Sequence, residues 1–360
     1  MQHHFGEALY LNLLQTDVRL ALLRDPSELR RRVQARPPGS WVVIDEIQLI
    51  PSLLSEVHFL MESGKYQFAM SGSSARKLKR GEANLLAGRA ILRKMYPLTA
   101  AEIGEGADLL RLVERGSLPL VVAADDGDWI DVLEAYTMTY LREEIQAEAL
   151  VRNLAPFMRF LQCAGLVNAQ VTNISSLARD AGVQRPTVQG YFQILQDTLV
   201  GSLLPAWRPQ ARIKEQAHPK FYWFDCGVAR AMRGDLRAPL GAAERGHLLE
   251  TFIFNELQAY MHYANLGGRL AYWRTPAGVE VDFIYQSPSG KITAIEVKAS
   301  ARWRKENSEG MHELAEATPL TRLWGVYLGT HALRDATTGL QMLPLRDFME
   351  AMAKGDVLAI

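Results

Sequence analysis

Trp41-Val42-Val43-Ile44-Asp45-Glu46 constrains the fold more than any other stretch of this chain. Three consecutive β-branched residues behind a tryptophan leave no polar face, the pattern of a strand covered on both sides. Such a strand belongs in a mostly parallel sheet with helices on its faces, so its neighbours should lie nearby. Ala8–Leu13 and Phe68-Ala69-Met70 read as two of them. Ile91–Tyr96 reads as a fourth strand, with Ile91, Arg93 and Met95 on one side. Helices are expected over 17–24, 26–33 and 51–61, so the first third alternates strand and helix.

The strand ends in an acidic pair, which is the Walker B pattern. There Asp45 would hold Mg²⁺ through water and Glu46 would polarise an attacking water. The alternative is a buried strand followed by a solvated acidic turn. Phe68-Ala69-Met70-Ser71-Gly72-Ser73-Ser74 ends in small polar residues and suits a sensor position, with Ser71 near a phosphate. In Leu85-Leu86-Ala87-Gly88-Arg89, Arg89 would stabilise charge on a γ-phosphate, in cis or from a neighbouring subunit of a homo-oligomer. Otherwise it is a surface arginine. Arg76, Lys77, Lys79, Arg80, Arg89, Arg93 and Lys94 concentrate positive charge here, as a phosphate- or DNA-attracting patch or a solvated face.

In combination, Asp-Glu-Ile-Gln (45–48), Ser-Gly-Ser-Ser-Ala-Arg (71–76), Leu-Ala-Gly-Arg (86–89) and Pro-Leu-Thr-Ala-Ala-Glu (97–102) resemble a bacterial and archaeal family of AAA-type P-loop ATPases. Its members carry a C-terminal domain of unknown function. The resemblance implies ATP and Mg²⁺ as ligands of a complete member. One departure stands out. No G-x-x-x-x-G-K-[ST] occurs, and the only Gly-Lys pairs, Gly64-Lys65 and Gly290-Lys291, lack the spaced glycine and following hydroxyl. The chain reads as starting just after the family's first strand and phosphate-binding loop. That strand is central in the family, so unpaired strand edges are expected. ATP hydrolysis at family-like rates is not expected.

A second motif lies in the middle. Ile174–Val183 followed by Gln184–Leu195 reads as a helix-turn-helix, with Ala178 at the helix crossing, Gly182 in a left-handed turn and Ser175 as cap. Thr198–Leu204 suits a wing. Gln184, Arg185, Thr187, Gln189 and Gln193 would face DNA, with Arg208, Arg212 and Lys214 after the wing. Equally, a winged helix serves as a packing module.

A third signal is a set of spaced carboxylates. Glu250 lies on a strongly apolar helix over 246–263. A hairpin of 279–285 and 291–298 puts Glu280 and Asp282 on one face of its first strand, and Glu296 and Lys298 on one face of its second. This arrangement resembles the PD-(D/E)xK nuclease core. The resemblance implies Asp282 and Glu296 as Mg²⁺ ligands, Glu250 as an outer or second-metal ligand, and Lys298 orienting the attacking water. The alternative is a structural relic in which Lys298 neutralises a buried carboxylate cluster.

The expected organisation is α/β: a partial ATPase sheet over 1–104, a helical region with the winged helix-turn-helix over 105–219, and the nuclease-like α/β domain over 220–360. Forty basic and forty acidic residues cancel, which excludes a polybasic coat or acidic tail but not a local DNA-binding patch. Two cysteines are too few for a disulfide framework. No apolar run reaches membrane-helix length and no signal peptide is seen, so a cytoplasmic protein without membrane contact is expected. Three functional classes follow: a DNA-associated ATPase relative, a Mg²⁺-dependent nuclease, and a non-catalytic DNA-binding or regulatory module.

Overall fold

A computed structural model of the chain describes residues 5–72, 88–140, 154–208 and 218–358. Two compact units emerge, Met1–Leu92 with Asp197–Leu199, and Arg93–Gln196 with Val200–Ile360.

In the first unit the order is β1 (Leu9–Asn12), α1 (Thr16–Arg24), α2 (Ser27–Gln34), β2 (Trp41–Asp45), α3 (Leu53–Glu62) and β3 (Gln67–Met70). The three strands are all parallel in the order β1-β2-β3. Val42, Val43 and Ile44 of the central strand are fully buried, with Leu11, Leu22, Leu29, Val33, Val57 and Leu60 completing the core. Arg30 fastens α2 to α3 through Glu56 at 2.9 Å and lies over the Phe59 ring. The ladder places Leu11 beside Ile44 and Ile44 beside Met70, so the three strands end together and their C-terminal residues share one edge. Among the described residues β3 pairs with β2 alone.

The fourth strand expected over Ile91–Tyr96 is not formed. These residues carry no regular secondary structure, and Ile91, Leu92 and Met95 are 79%, 70% and 86% exposed. Alternation of apolar and polar residues marks a strand only where a neighbouring edge is offered. Tyr96 instead stacks on His262 and meets Tyr263 edge-on.

The second unit starts with α4 (Ala100–Ile103), α5 (Leu109–Arg115), α6 (Pro119–Ala123) and α7 (Trp129–Ala135). Thr99 and Glu102 form a reciprocal capping box on α4, and Asp108 caps α5. Next come α8 (Leu154–Leu166), β4 (Gln170–Val171), α9 (Ile174–Ala181), α10 (Arg185–Asp197), β5 (Gly201–Leu204) and β6 (Lys220–Trp223). These three strands form an antiparallel sheet, β4-β6-β5. Asn173, not Ser175, caps α9: its side chain accepts from the Ser175 and Ser176 amides. Gly182 ends α9 in the left-handed region at φ 67°.

The remainder comprises α11 (Cys226–Arg233), α12 (Ala242–Tyr263), β7 (Arg269–Arg274), β8 (Glu280–Gln286), β9 (Ile292–Lys298), α13 (Glu309–Ala317), β10 (Arg322–Tyr327), β11 (Leu333–Arg334), β12 (Gln341–Pro344) and α14 (Leu345–Ala353). Six strands order as β11-β12-β10-β9-β8-β7, with β7-β8-β9 an antiparallel meander and β9-β10-β12 parallel. Apolar packing crosses position 219/220. Phe192 of α10 meets Phe221 of β6 at 5.1 Å between ring centres, and Asn168 donates to Thr251 of α12 at 2.7 Å. Among the described residues no helix is long and apolar enough to cross a membrane.

Candidate functional site

Two acidic sites and one helical face collect the residues singled out in the sequence. The first acidic site stands at the shared C-terminal edge of β1, β2 and β3, where open α/β sheets bind ligands. Asp45 is half-buried and takes hydrogen bonds from the hydroxyls of Tyr10 (2.6 Å) and Ser71. That hydrogen bond, with burial and the charge of Asp45, raises the Tyr10 phenol above its ordinary value. The Glu46 amide donates to Ser71 Oγ at 3.3 Å, and the Gln48 amide nitrogen donates to the Glu46 carboxylate. Glu46 itself sits in the left-handed region, at φ 62°. A side chain held there costs about 1–3 kcal/mol and points to a position kept for more than stability.

Asp45, Glu46 and Ser71 are thus brought together. Arg89 is exposed, and its described partners are His58 at 2.8 Å and Glu62 at 3.1 Å, both on α3. Of the basic stretch, 76–80 lies outside the described residues. Asp45 and Glu46 have the oxygen chemistry of a hydrated divalent ion. The sequence contains no G-x-x-x-x-G-K-[ST] motif.

The second acidic site lies where β6, α12, β8 and β9 meet. Lys220, first residue of β6, is 3% exposed at its side chain. Its ammonium lies 2.7 Å from Glu250 on α12, 2.5 Å from Glu280 and 3.4 Å from Asp282, both on β8. Tyr222 donates to the same Glu250 oxygen at 2.5 Å. Asp282 accepts the Val297 amide at 2.9 Å, and Lys298 pairs with Glu296 on the same face of β9. Arg274 takes the second Glu280 oxygen at 3.5 Å.

Burial dominates the charges here. It pushes Glu250 up to about 7, aided by the neighbouring Asp282 carboxylate and opposed by Lys220. Glu296 goes well above the ordinary carboxylate range for the same two reasons, with Lys298 opposing. Burial alone would lower Lys220, but Glu250, Asp282 and Glu280 outweigh it and hold the lysine protonated. Burial and the Glu250 charge also push the Tyr222 phenol well up.

Glu250, Asp282, Glu296 and Lys298 therefore share one cluster, with Lys220 and Tyr222 as residues that sequence reasoning missed. Their signal was a lysine opening an otherwise wholly buried aromatic strand, Phe221-Tyr222-Trp223, where a charge requires a carboxylate. As a divalent-metal centre the donor set does not fit as arranged. An ammonium bridges three of the carboxylates, and no three His, Cys, Asp or Glu among the described residues are placed to hold an ion.

The helical face belongs to α10. Val188, Tyr191, Phe192 and Leu195 are buried against α8, where Tyr191 meets Phe157 edge-on at 4.8 Å and Phe192 meets Phe160 at 5.0 Å. Gln184, Arg185 and Gln189 are exposed on the other side, and Thr187 is half-buried. A β-carbon added at Gly190 would meet nothing within 4 Å among the described residues. Arg212 and Lys214 lie outside the described residues.

Against known proteins, residues 1–104 match the AAA domain family, 106–238 a domain of unknown function (DUF8612), and 245–348 a domain of unknown function (DUF4143). The chain thus carries an AAA domain, ATPase-like by family, ahead of two segments without assigned function. An uncharacterized protein of Haemophilus influenzae is 23% identical over 269 residues, spanning 69% of this chain and 66% of that relative. The match therefore covers just under two thirds of the relative's length. A crystal structure of protein VC1899 from Vibrio cholerae aligns over 88% of this chain and 90% of its own, with 10% identity and a TM-score of 0.24.

Proposed function

We propose that this chain is an AAA-type, ATPase-like protein that acts at DNA through α10, and that it does not turn over ATP on its own. The observation that carries the DNA reading is the outward face of α10. Arg185 and Gln189 are exposed on a helix whose other side is fixed by aromatic packing, and exposed Gln184 immediately precedes it. Arginine and glutamine are the side chains that pair with guanine and adenine edges in the major groove. The order α8, β4, α9, α10, β5, β6 is that of a helix-turn-helix followed by a hairpin, which supports a winged-helix reading. Segment 209–217, between the hairpin strands, carries Arg212 and Lys214 as further phosphate contacts.

The ATPase-like part rests on the AAA match and on Asp45, Glu46 and Ser71 at one sheet edge. With no G-x-x-x-x-G-K-[ST] in the chain, the β- and γ-phosphates lack their backbone cradle and lysine. Mg²⁺-dependent ATP turnover abolished by Glu46→Gln would contradict this part. A nuclease reading draws support from Asp282, Glu296 and Lys298 on one sheet, but the bridging Lys220 leaves no ready metal centre and no hydrolytic step is derived there.

The test is fluorescence anisotropy with duplex DNA at about 50 and 200 mM salt. Binding is expected to weaken with salt. Arg185→Ala combined with Gln189→Ala should lower affinity about tenfold or more without lowering the melting temperature. No binding at either salt would contradict the proposal.

A further inference from the structure

The carboxylate cluster already contains a cation. Lys220 contributes it from β6, an element of the α8–β6 region, while the carboxylates come from α12 and from the β8–β9 hairpin. The ammonium is inside the protein, with its three closest oxygens supplied by three different acids, Glu250, Glu280 and Asp282, at 2.5 to 3.4 Å. The ammonium donates to Glu250 and Asp282 and is ion-paired with Glu280. Each carboxylate is engaged in turn: Glu250 by Lys220 and Tyr222, Glu280 by Lys220 and Arg274, Asp282 by Lys220 and the Val297 amide, and Glu296 by Lys298. A set of acids this close cannot remain ionised together without a positive charge among them. A divalent ion is one solution; a buried lysine is another.

We infer that Lys220 is the resident cation of this cluster, filling the charge-neutralising part that a divalent metal ion would otherwise fill. The cluster then works without metal, as the joint that ties β6 to α12 and β8. The residue acts by position as well as charge. It opens the strand that follows segment 205–219, so the joint anchors the end of the β5–β6 hairpin to the six-stranded sheet. The Lys220 ammonium also lies 5.6 Å from the centre of the Tyr272 ring on β7, and the Tyr272 hydroxyl donates to the His218 carbonyl at 2.5 Å, so a third strand grips the same hairpin end. Removing the ammonium leaves Glu250, Glu280 and Asp282 with only the more peripheral cations Arg274 and Lys298 to offset their charge. With the ammonium gone, these hard oxygen donors can draw in around a Mn²⁺ or Mg²⁺ ion taken up in its place.

The test is Mn²⁺ binding by the full chain, followed by electron paramagnetic resonance, in the wild type, in Lys220→Ala and in each with Asp282→Asn added. Asp282→Asn identifies the part of the signal that belongs to this cluster, separating it from ions held at Asp45 and Glu46. Wild-type protein is expected to show no Asp282-dependent binding. Folded Lys220→Ala is expected to gain one Asp282-dependent site, at least about tenfold tighter than anything the wild type shows there. Asp282-dependent binding by the wild type would overturn the inference, and so would a folded Lys220→Ala chain without that gain. The wild-type titration decides by itself where the variant does not fold.

Discussion

The two acidic sites hold similar side chains in opposite ways. At the edge of the three-stranded sheet, Asp45 is half-buried and its partners are hydroxyls, from Tyr10 and Ser71. At the junction of β6, α12, β8 and β9, Asp282 and Glu296 are buried, Glu250 and Glu280 are half-buried, and cations stand among their partners: Lys220, Lys298 and Arg274. A hydroxyl yields to a hydrated ion at little cost, whereas a buried lysine surrounded by three carboxylates does not leave without stranding their charges. The same residue types therefore make an edge whose acids meet neutral hydroxyls and amides and a joint whose acids meet cations. Which role an acidic group plays is set by its counter-charges rather than by the acids themselves.

The largest effect expected from this contrast is on stability. Lys220→Met should destabilise the second unit by about 3–5 kcal/mol, because it breaks a buried ion network from one side. Lys298→Met should cost distinctly less, since Lys298 remains 31% exposed and water shares its charge. Urea unfolding of the two variants checks the order, and equal losses would break the distinction.

A buried acid without an ammonium partner provides the next test. Glu256 on α12 accepts the Ala100 amide at 2.7 Å, and burial pushes its carboxyl up to about 7, with Glu102 adding to the rise. Its folded-state value lies above the unfolded one, so the folded state binds the proton more tightly. Stability from this group is complete below about pH 4 and is lost as pH rises toward 7, a change of about 2–3 kcal/mol. Glu256→Gln should flatten the unfolding free energy between pH 5 and 8. An unchanged slope would mean that burial is not what sets this carboxyl.

At the sheet edge the effects should be small. Glu46→Gly should stabilise the first unit by about 1 kcal/mol, since glycine adopts the left-handed backbone without penalty. Tyr10→Phe should cost about 1 kcal/mol or less through one lost hydrogen bond. Thermal melts measure both, and a destabilising Glu46→Gly would remove the argument that this backbone is strained.

The sequence made the N-terminal edge legible for a physical reason. A continuous β-branched strand states its own burial, so the position of Asp45 and Glu46 at its end followed directly, and Ser71 immediately follows the adjacent strand. The β8–β9 hairpin was legible too: 279–285 and 291–298 were expected, and Glu280–Gln286 and Ile292–Lys298 are found. Its alternation put Asp282, Glu296 and Lys298 on defined faces. Ile91–Tyr96 misled because alternation says nothing about whether a partner edge exists. Lys220 was missed because its partners lie 30 to 62 residues away: the buried aromatic strand that it opens signals the need for a carboxylate but not which one. Asn173, two residues before Ser175, is the cap, a shift that propensity at helix starts does not resolve.

The contrast between an open edge and a self-neutralised joint comes down to which acids an added ion can reach. Calorimetric titration of Mn²⁺ into the full chain, repeated with Asp45→Asn and with Asp282→Asn, measures this directly. The account predicts that heat of binding is diminished by Asp45→Asn and unchanged by Asp282→Asn. Binding that survives Asp45→Asn and disappears with Asp282→Asn would contradict it.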